Sequence, residues 1–503
     1  MPKLGFVFFC RYYFCSAISA RQKFIKTWQI ISIYKSMKHF KFLISILILQ
    51  CNLVLAGELK TFSPPNGMLY TRHNDDFTIQ VRTPGSDWED VFEYSIAVDN
   101  DNKQTATFVK FDFSGKVEVK IRMNNGLLQQ VNIRPDRFGI KPEIKGNEFR
   151  FSLDKPSKLS IEVNGNKMNN IHLVANAIEN EVPDSNADHV IYFGPGIHKP
   201  DDMPGDVFTI PSNTTVYIHG DAVLQGKILC NKVENVKIIG RGIIDQAVRG
   251  IEITNSKNIA IEGITIINPK HYSIFMGESS DISIKNISAF SMGSWTDGID
   301  MMSCSNVSVD DVFLRTSDDC IAVYAHRWNY YGNSKNVTFK NAILWADIAH
   351  PINIGLHGNT KTIGDTIENF VFQDIDILEH DEDDRNYQGA MAICSGDFNL
   401  VRNIRFENVY IDEIQEGQIF NIRVVNNPKY CSGPGRSIEN IVFKNVVYKG
   451  ALPNKSVIEG YSNDKNVNGI TFENFRINDK LVLLKDSANF KIGNYVEKLK
   501  LTK

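Results

Sequence analysis

The sequence lacks the signatures of several functional classes. No glycine-rich phosphate loop, serine–histidine–aspartate arrangement or zinc-type ligand set stands out among its 503 residues. The formal net charge is −3, so no basic excess indicates a nucleic-acid partner. Past residue 56 the five cysteines are widely spaced and predict no disulfide framework. We expect Cys304 and Cys320 to be small hydrophobic residues of an interior.

A long membrane span is also missing from the N-terminal region. Residues 37–56 join a basic start, an apolar run shorter than the ~20 residues of a span, and small residues before Gly57. This pattern predicts a secretory signal peptide, preceded by an extension at 1–36 that is not part of the working protein. We therefore expect a secreted or periplasmic protein with no stable membrane span. An N-terminal membrane anchor and lipid attachment at Cys51 are the alternatives.

Residues 57–180 alternate apolar and polar positions in short runs. Phe77–Val81 and Val117–Ile121 are typical, and turns such as Asn124-Asn125-Gly126 separate the runs. A period of two with such turns predicts antiparallel strands packed as a β-sandwich. This domain shows no catalytic constellation, so we expect it to cover the open end of the next domain.

A repeat dominates residues 185–503. Each copy has a small or charged residue, then Asn, Asp or Gly, then alternating apolar positions; the period starts near 23 residues and grows to 30 or more. No helical pattern fills the gaps, and the units are short for propeller blades. The repeat predicts a right-handed parallel β-helix with about three strands per coil and an asparagine ladder at its turns. The copies begin at Glu234, Lys257, Ser280, Ser305, Lys335, Glu368, Arg402, Glu439 and Asn468.

Two acidic turns interrupt this repeat. Asp297 lies in the first, and Asp318 and Asp319, about one period further on, lie in the second. If the repeat is a solenoid, these turns occupy neighbouring coils and share one face. Three like charges at close range raise one another's pKa and do not serve folding, so this face is the candidate site.

The acidic turns carry a resemblance to known enzymes. Trp295–Asp300 and Ser317–Ala322 resemble the Asn-Thr-Asp and Asp-Asp signatures of glycoside hydrolase family 28, the polygalacturonases, which share the pectin-lyase-like β-helix. The segment Tyr192–His198 and the inferred β-sandwich are also similar to the dextranase and isopullulanase family, family 49.

The resemblance implies roles for individual residues. Asp318 matches the general acid, and Asp297 and Asp319 match the carboxylates that activate water. His350 takes the place of the family histidine, and His357 is a second candidate. Only Arg423 is available for the Arg-Ile-Lys signature that grips uronate carboxylates, and its lysine is missing.

These residue types suit the cleavage of a glycosidic bond. Inversion needs an acid and a base about 6.5–9.5 Å apart, which stacked coils provide. Asp318, between two negative neighbours, is expected to have a raised pKa that His350 tunes through a hydrogen bond. We expect Asp300 to be a structural hydrogen bonder. The rings of Trp295, Tyr324 and Trp328 are candidates for stacking on sugars; the last two belong to an aromatic insertion after the acidic pair.

The sequence thus predicts an inverting glycoside hydrolase, metal-independent and without a cofactor, acting as a monomer on a polysaccharide or oligosaccharide. A polysaccharide lyase on the same fold and a non-catalytic carbohydrate-binding β-helix are the rivals. Galacturonan, an α-glucan or another glycan remains open as substrate, as does endo or exo action.

Overall fold

The computed structural model describes residues 57–200, 206–451, 453–483 and 490–503. The predicted extension, 1–36, and signal peptide, 37–56, lie outside these residues. Helical structure in the described part is a 3₁₀ turn at Asp136–Phe138. No helix there is long and apolar enough to cross a membrane. The remaining regular structure is β-strand, as the sequence predicts.

The first eleven strands form two sheets, of six and five strands, that pack face to face over a shared apolar core. Strand pairs are antiparallel except β5 with β11, which run parallel. Alternating apolar residues point into this core, as a sandwich requires. The strands are β1 Leu59–Thr61, β2 Phe77–Arg82, β3 Glu89–Asp90, β4 Tyr94–Val98, β5 Gln104–Phe113, β6 Val117–Met123, β7 Val131–Arg134, β8 Glu143–Lys145, β9 Glu148–Leu153, β10 Ser157–Val163 and β11 Asn166–Ala177.

The described residues from 190 onward wind into a right-handed parallel β-helix, as predicted. Two of the three strands in each coil belong to one 19-stranded sheet. These two strands are fused into a single long strand in the coils from β24 to β34. That sheet contains β12 Val190–Phe193, β13 Gly196–His198, β15 Thr215–Ile218, β16 Ala222–Leu224, β18 Glu234–Gly240, β19 Ile243–Asp245, β21 Lys257–Glu262, β22 Thr265–Ile267, β24 Ser280–Phe290, β26 Ser305–Thr316, β28 Ser334–Ala346, β30 Thr366–Glu379, β32 Leu400–Ile411, β34 Ser437–Tyr448, β36 Val467–Glu473, β37 Arg476–Ile477, β38 Lys480–Leu481, β40 Val496–Glu497 and β41 Lys500–Thr502.

The third strand of each coil lies in an 11-stranded sheet, which carries the acidic turns. Its strands pair in parallel from one coil to the next. They are β14 Val207–Thr209, β17 Lys227–Asn231, β20 Ile251–Thr254, β23 Ile274–Gly277, β25 Ile299–Met302, β27 Ile321–Tyr324, β29 Ile352–Gly355, β31 Met391–Ser395, β33 Phe420–Val424, β35 Ser456–Glu459 and β39 Phe490–Ile492.

Side-chain ladders along the coils hold the solenoid in register. The predicted asparagine ladder is present: Asn336 Nδ2 donates to Asn306 Oδ1, and Asn369 Nδ2 donates to Asn336 Oδ1, each at 3.1 Å. These residues have φ between 56° and 62°, a left-handed conformation that Asn adopts more readily than most residues. Inside the coils, neighbouring rings stack with centroids 4.9–5.2 Å apart in the column Phe339, Phe372, Phe406, Phe443 and Phe472. Cys304 and Cys320 are buried in this interior, as predicted.

The sandwich packs along the flank of the solenoid, so the expectation that it covers an open end is wrong. Tyr94, Ile96 and Phe108 of the six-stranded sheet join one apolar cluster with outward-facing residues of successive coils, from Val223 to Leu378. That column of apolar side chains would otherwise face water, and burying it stabilises both parts. Because Glu58–Lys503 form one compact unit, a domain boundary near 180–185 stays a prediction.

Candidate active site

The acidic turns meet at the start of two neighbouring strands. Asp297 precedes β25 by two residues, and Asp319 precedes β27 by two residues, while β25 and β27 pair in parallel from Ile299 with Ile321. One oxygen from each of Asp297, Asp318 and Asp319 lies within 4.8 Å of the other two. The solenoid therefore brings the three predicted aspartates together on one face. This is closer than the 6.5–9.5 Å expected for inversion, because consecutive coils place the turns only one strand spacing apart.

Asp318 is the half-buried member of the cluster and is held by backbone donors. Its Oδ2 accepts a hydrogen bond from the Trp295 N–H (2.9 Å), and its Oδ1 accepts one from the Asp319 N–H (3.0 Å). Trp295 supplies its N–H from a left-handed conformation with φ 59°. Burial, and next the negative charge of Asp319, raise the pKa of Asp318 to about 6. A carboxyl of this kind carries a proton in mildly acidic solution and is placed to give it up.

Asp319 is buried and bound on both oxygens. Its Oδ1 accepts from the His350 backbone N–H (3.1 Å) and from His350 Nδ1 (2.7 Å), and its Oδ2 accepts from Asn353 Nδ2 (2.6 Å). The Tyr387 hydroxyl donates to Asn353 Oδ1 (3.0 Å), which fixes that amide. Neither Asn353 nor Tyr387 carries a carboxylate or an imidazole, the groups on which the predicted catalytic set rests, so the sequence prediction did not include them.

His350 is fully buried and donates from both ring nitrogens. Nδ1 faces Asp319, and Nε2 faces the Tyr387 carbonyl oxygen, so the ring is an imidazolium. Burial alone would lower the pKa of His350, but the Asp319 carboxylate and its hydrogen bond outweigh burial and raise this pKa to about 9. The expected hydrogen bond to Asp318 is wrong: His350 binds Asp319, because β29 continues the row of Asp319 on the next coil.

The carboxyl group of Asp297 interacts with a second buried carboxyl group, that of Asp300. Asp297 is 3% exposed and Asp300 is not exposed at all. Oδ1 of Asp297 and both oxygens of Asp300 have no N–H donor among the described residues. Since Asp297 is the one group that forms a side-chain hydrogen bond with Asp300 among the described residues, the role of Asp300 as a structural hydrogen bonder stays a prediction. Burial raises the pKa of both carboxyls well above its ordinary value, and for Asp297 the Asp300 charge adds to this effect. Both carboxyl groups therefore favour their protonated forms more strongly than an exposed aspartate does.

A cation and several rings border the carboxylates. Arg327 was not predicted; it lies in the insertion after β27, and its charge acts against the raised pKa of Asp297 and Asp300. Trp295 is 64% exposed and Trp328 is 44% exposed, so both rings are open to a ligand. Tyr324 is only 4% exposed, which corrects its prediction as a sugar-stacking ring: the insertion covers it, and it packs against His357 (centroids 5.1 Å apart).

The other predicted binding residues lie apart from the cluster. Arg423 is on β33, three coils beyond β27, or about 14 Å along the solenoid. Its Nε donates to Asn421 Oδ1 (2.8 Å), and it lines a separate groove with Tyr461 and Tyr495. His357 is not bonded to any of the three carboxylates. Burial, and next the charge of Arg327, lower the pKa of His357 to about 3, so its ring is neutral.

The arrangement of carboxylates agrees with the sequence family. The profile of glycosyl hydrolases family 28 matches residues 201–492. The chain belongs to this family. Over 214 residues it is 26% identical to an exopolygalacturonase of Arabidopsis thaliana, covering 42% of this chain and 46% of that protein. Over 204 residues it is 26% identical to exopolygalacturonase B of Aspergillus niger, covering 38% and 44%. The matched part spans less than half the length of these relatives.

The family 28 chain also has the fold of a solved structure, Dex49A from Penicillium minioluteum. The two superpose with a TM-score of 0.54 over 88% of this chain and 96% of that one, at 14% identity. This likeness shows a shared fold. The family match confirms the predicted resemblance to family 28, and the Dex49A likeness confirms the second predicted resemblance at the level of the fold.

Proposed function

We propose that this protein is an exported hydrolase that cleaves the glycosidic bonds of a galacturonan. The observation that carries the proposal is the cluster of Asp297, Asp318 and Asp319, with one oxygen of each within 4.8 Å of the others. Membership of family 28 supports hydrolysis as the reaction class. The relatives named exopolygalacturonases support galacturonan as the substrate.

Asp318 is proposed as the general acid. Its raised pKa, about 6, lets it carry a proton in mildly acidic solution, and it is the most accessible of the three aspartates. It protonates the glycosidic oxygen as the bond to the leaving sugar breaks. The two backbone donors from Trp295 and Asp319 stabilise the carboxylate that remains.

Asp319 and Asp297 are proposed to hold the attacking water. The water loses its proton to a carboxylate as its oxygen attacks the anomeric carbon, on the face opposite the leaving group. The imidazolium of His350 and the amide of Asn353 fix the direction of Asp319. His350 is thus a positioning residue, since it is fully buried and touches Asp319 rather than a substrate.

The proposed outcome is inversion, and the anomer of the first product tests it. Two carboxylates beside the acid support a site for the attacking water. The distance between the carboxylate oxygens, within 4.8 Å, is closer to the ~5 Å typical of retaining enzymes. Proton NMR of early products distinguishes the two. Product with the substrate's own anomeric configuration would contradict inversion while leaving hydrolysis in place.

The reaction class is tested by release of reducing ends from a panel of polysaccharides that includes polygalacturonate and dextran. We expect new reducing ends from polygalacturonate and no product that absorbs in the ultraviolet. Asp318→Asn is the matched control and should abolish release. An ultraviolet-absorbing product would indicate a lyase instead. Binding to the polymer without any cleavage would indicate a carbohydrate-binding solenoid.

A further inference from the structure

Arg327 is held rigidly beside the carboxylates. It follows β27 by three residues and forms a tight hairpin with Tyr330: each backbone N–H donates to the other residue's carbonyl oxygen, at 3.3 and 3.1 Å. Trp328 closes the hairpin with φ 56°. The guanidinium lies 4.9 Å from the Tyr324 ring centre and 5.1 Å from that of Trp328, and its Nη1 donates to the Tyr272 hydroxyl (3.1 Å). Aromatic contacts and one hydrogen bond therefore fix the direction of this cation.

The charge of Arg327 has no carboxylate partner within ion-pair distance among the described residues. Its side chain donates one hydrogen bond there, to Tyr272, out of the five N–H groups that a guanidinium carries. Arg249, which also stacks on Trp328 and Tyr272, differs in this respect because it is paired with Glu252 (3.1 Å). Both arginines keep N–H donors free, but the charge of Arg249 is paired with Glu252, while that of Arg327 is left for an anionic ligand.

Arg327 lies beside the row of carboxyl groups that includes Asp297. Tyr272, whose hydroxyl accepts from Arg327, stands two residues before β23, the same offset at which Asp297 stands before the parallel neighbour β25. The contact therefore holds the guanidinium beside the row of Asp297, and its charge acts on Asp297 and Asp300, as that of His350 acts on Asp318. His350 is already bound to Asp319 and the Tyr387 carbonyl, and it has no free donor. Arg423 lies about 14 Å along the solenoid from β27, and its Nε donates to Asn421.

We propose that Arg327 binds the carboxylate of a uronate residue at the cleaved linkage, and that this contact makes the enzyme prefer anionic over neutral glycans. The inference rests on the proposed hydrolase function and names the residue that selects its substrate. A planar guanidinium matches a carboxylate through two parallel hydrogen bonds, which a neutral sugar cannot provide. The half-exposed Trp328 ring beside it supplies an apolar face for the same sugar.

The test compares two polymers that differ only in charge: polygalacturonate and the same polymer with its carboxylates reduced to alcohols. We expect the wild-type enzyme to have the higher kcat/KM on the charged polymer. Arg327→Gln should lower kcat/KM on that polymer about 10- to 100-fold, mainly through KM, and change it on the neutral polymer by less than about threefold. Arg327→Lys keeps the positive charge but not the planar pair of N–H donors. Its kcat/KM on the charged polymer should lie between those of the wild type and Arg327→Gln.

Arg249→Gln is the matched control. It removes a second arginine from the same rings, and it should leave the ratio of kcat/KM between the polymers unchanged. An Arg327→Gln loss that is equal on both polymers, or a wild-type enzyme without preference for charge, overturns the proposal while hydrolysis stands. If the wild-type enzyme cleaves neither polymer, the proposed galacturonan hydrolase function fails, and this inference fails with it. If Arg327→Gln does not fold, Arg327→Lys is measured in its place. A ratio of kcat/KM between the two polymers that equals the wild-type ratio then overturns the proposal.

Discussion

Replacing His350 with glutamine tests the buried ion pair that holds Asp319 in place. The Asp319 environment raises the pKa of His350 from 6.5 to about 9, which corresponds to about 3 kcal/mol of stability. Because the folded-state pKa is the higher one, this contribution is complete below about pH 6.5 and is lost as the pH rises through about 9. Removal of one partner from a buried pair generally costs about 3–5 kcal/mol, which agrees with this figure.

The measurement is urea unfolding of the wild-type protein and His350→Gln at pH 6 and pH 10. We expect the variant to be less stable by about 3 kcal/mol at pH 6, and the difference to fall to about 1 kcal/mol at pH 10, where only a neutral hydrogen bond is lost. The kcat should also fall about 100-fold at pH 6, since Asp319 loses its direction.

His357→Gln is the control for this experiment. The pKa of His357 is lowered to about 3, so its ring is neutral at both pH values and its replacement should cost the same at each. An equal stability difference at pH 6 and pH 10 for His350→Gln would refute the ion pair between His350 and Asp319.

Three other outcomes are expected. Since burial and the charge of Asp319 raise the pKa of Asp318 to about 6, kcat/KM should fall as the pH rises through about 6, and an alkaline limb above pH 8 would contradict the role of Asp318 as acid. Burial raises the pKa of Asp300, so the wild-type protein should lose stability as the pH rises above the usual range of an aspartate. Asp300→Asn resembles the protonated form, so at pH 8 it should unfold at a higher urea concentration than the wild type. Unfolding at a lower urea concentration would contradict this. Trp328→Ala should raise KM about three- to tenfold with little change in kcat, whereas Trp88→Ala on the sandwich should change neither.

The sequence by itself determined the solenoid and the meeting of three aspartates. Both follow from periodicity: strands of similar length return at similar intervals, and asparagines near φ 56° close each turn by a local preference. Asp297 and Asp319 stand at the same offset before their strands, so parallel pairing places them on neighbouring coils. Relations of this kind depend on position within a repeat, which can be counted along the chain.

The tertiary structure alone decided which side chains are buried and which polar partners the charged groups have. The insertion after β27 buries Tyr324 and leaves Arg327 with free donors, while Asp300 is enclosed with no N–H donor to its oxygens among the described residues. The second ring nitrogen of His350 meets the Tyr387 carbonyl oxygen, which lies in the irregular segment between β30 and β31. Burial and charge pairing at these positions depend on how irregular insertions fold back over the regular coils, and insertions carry no period from which their packing can be read.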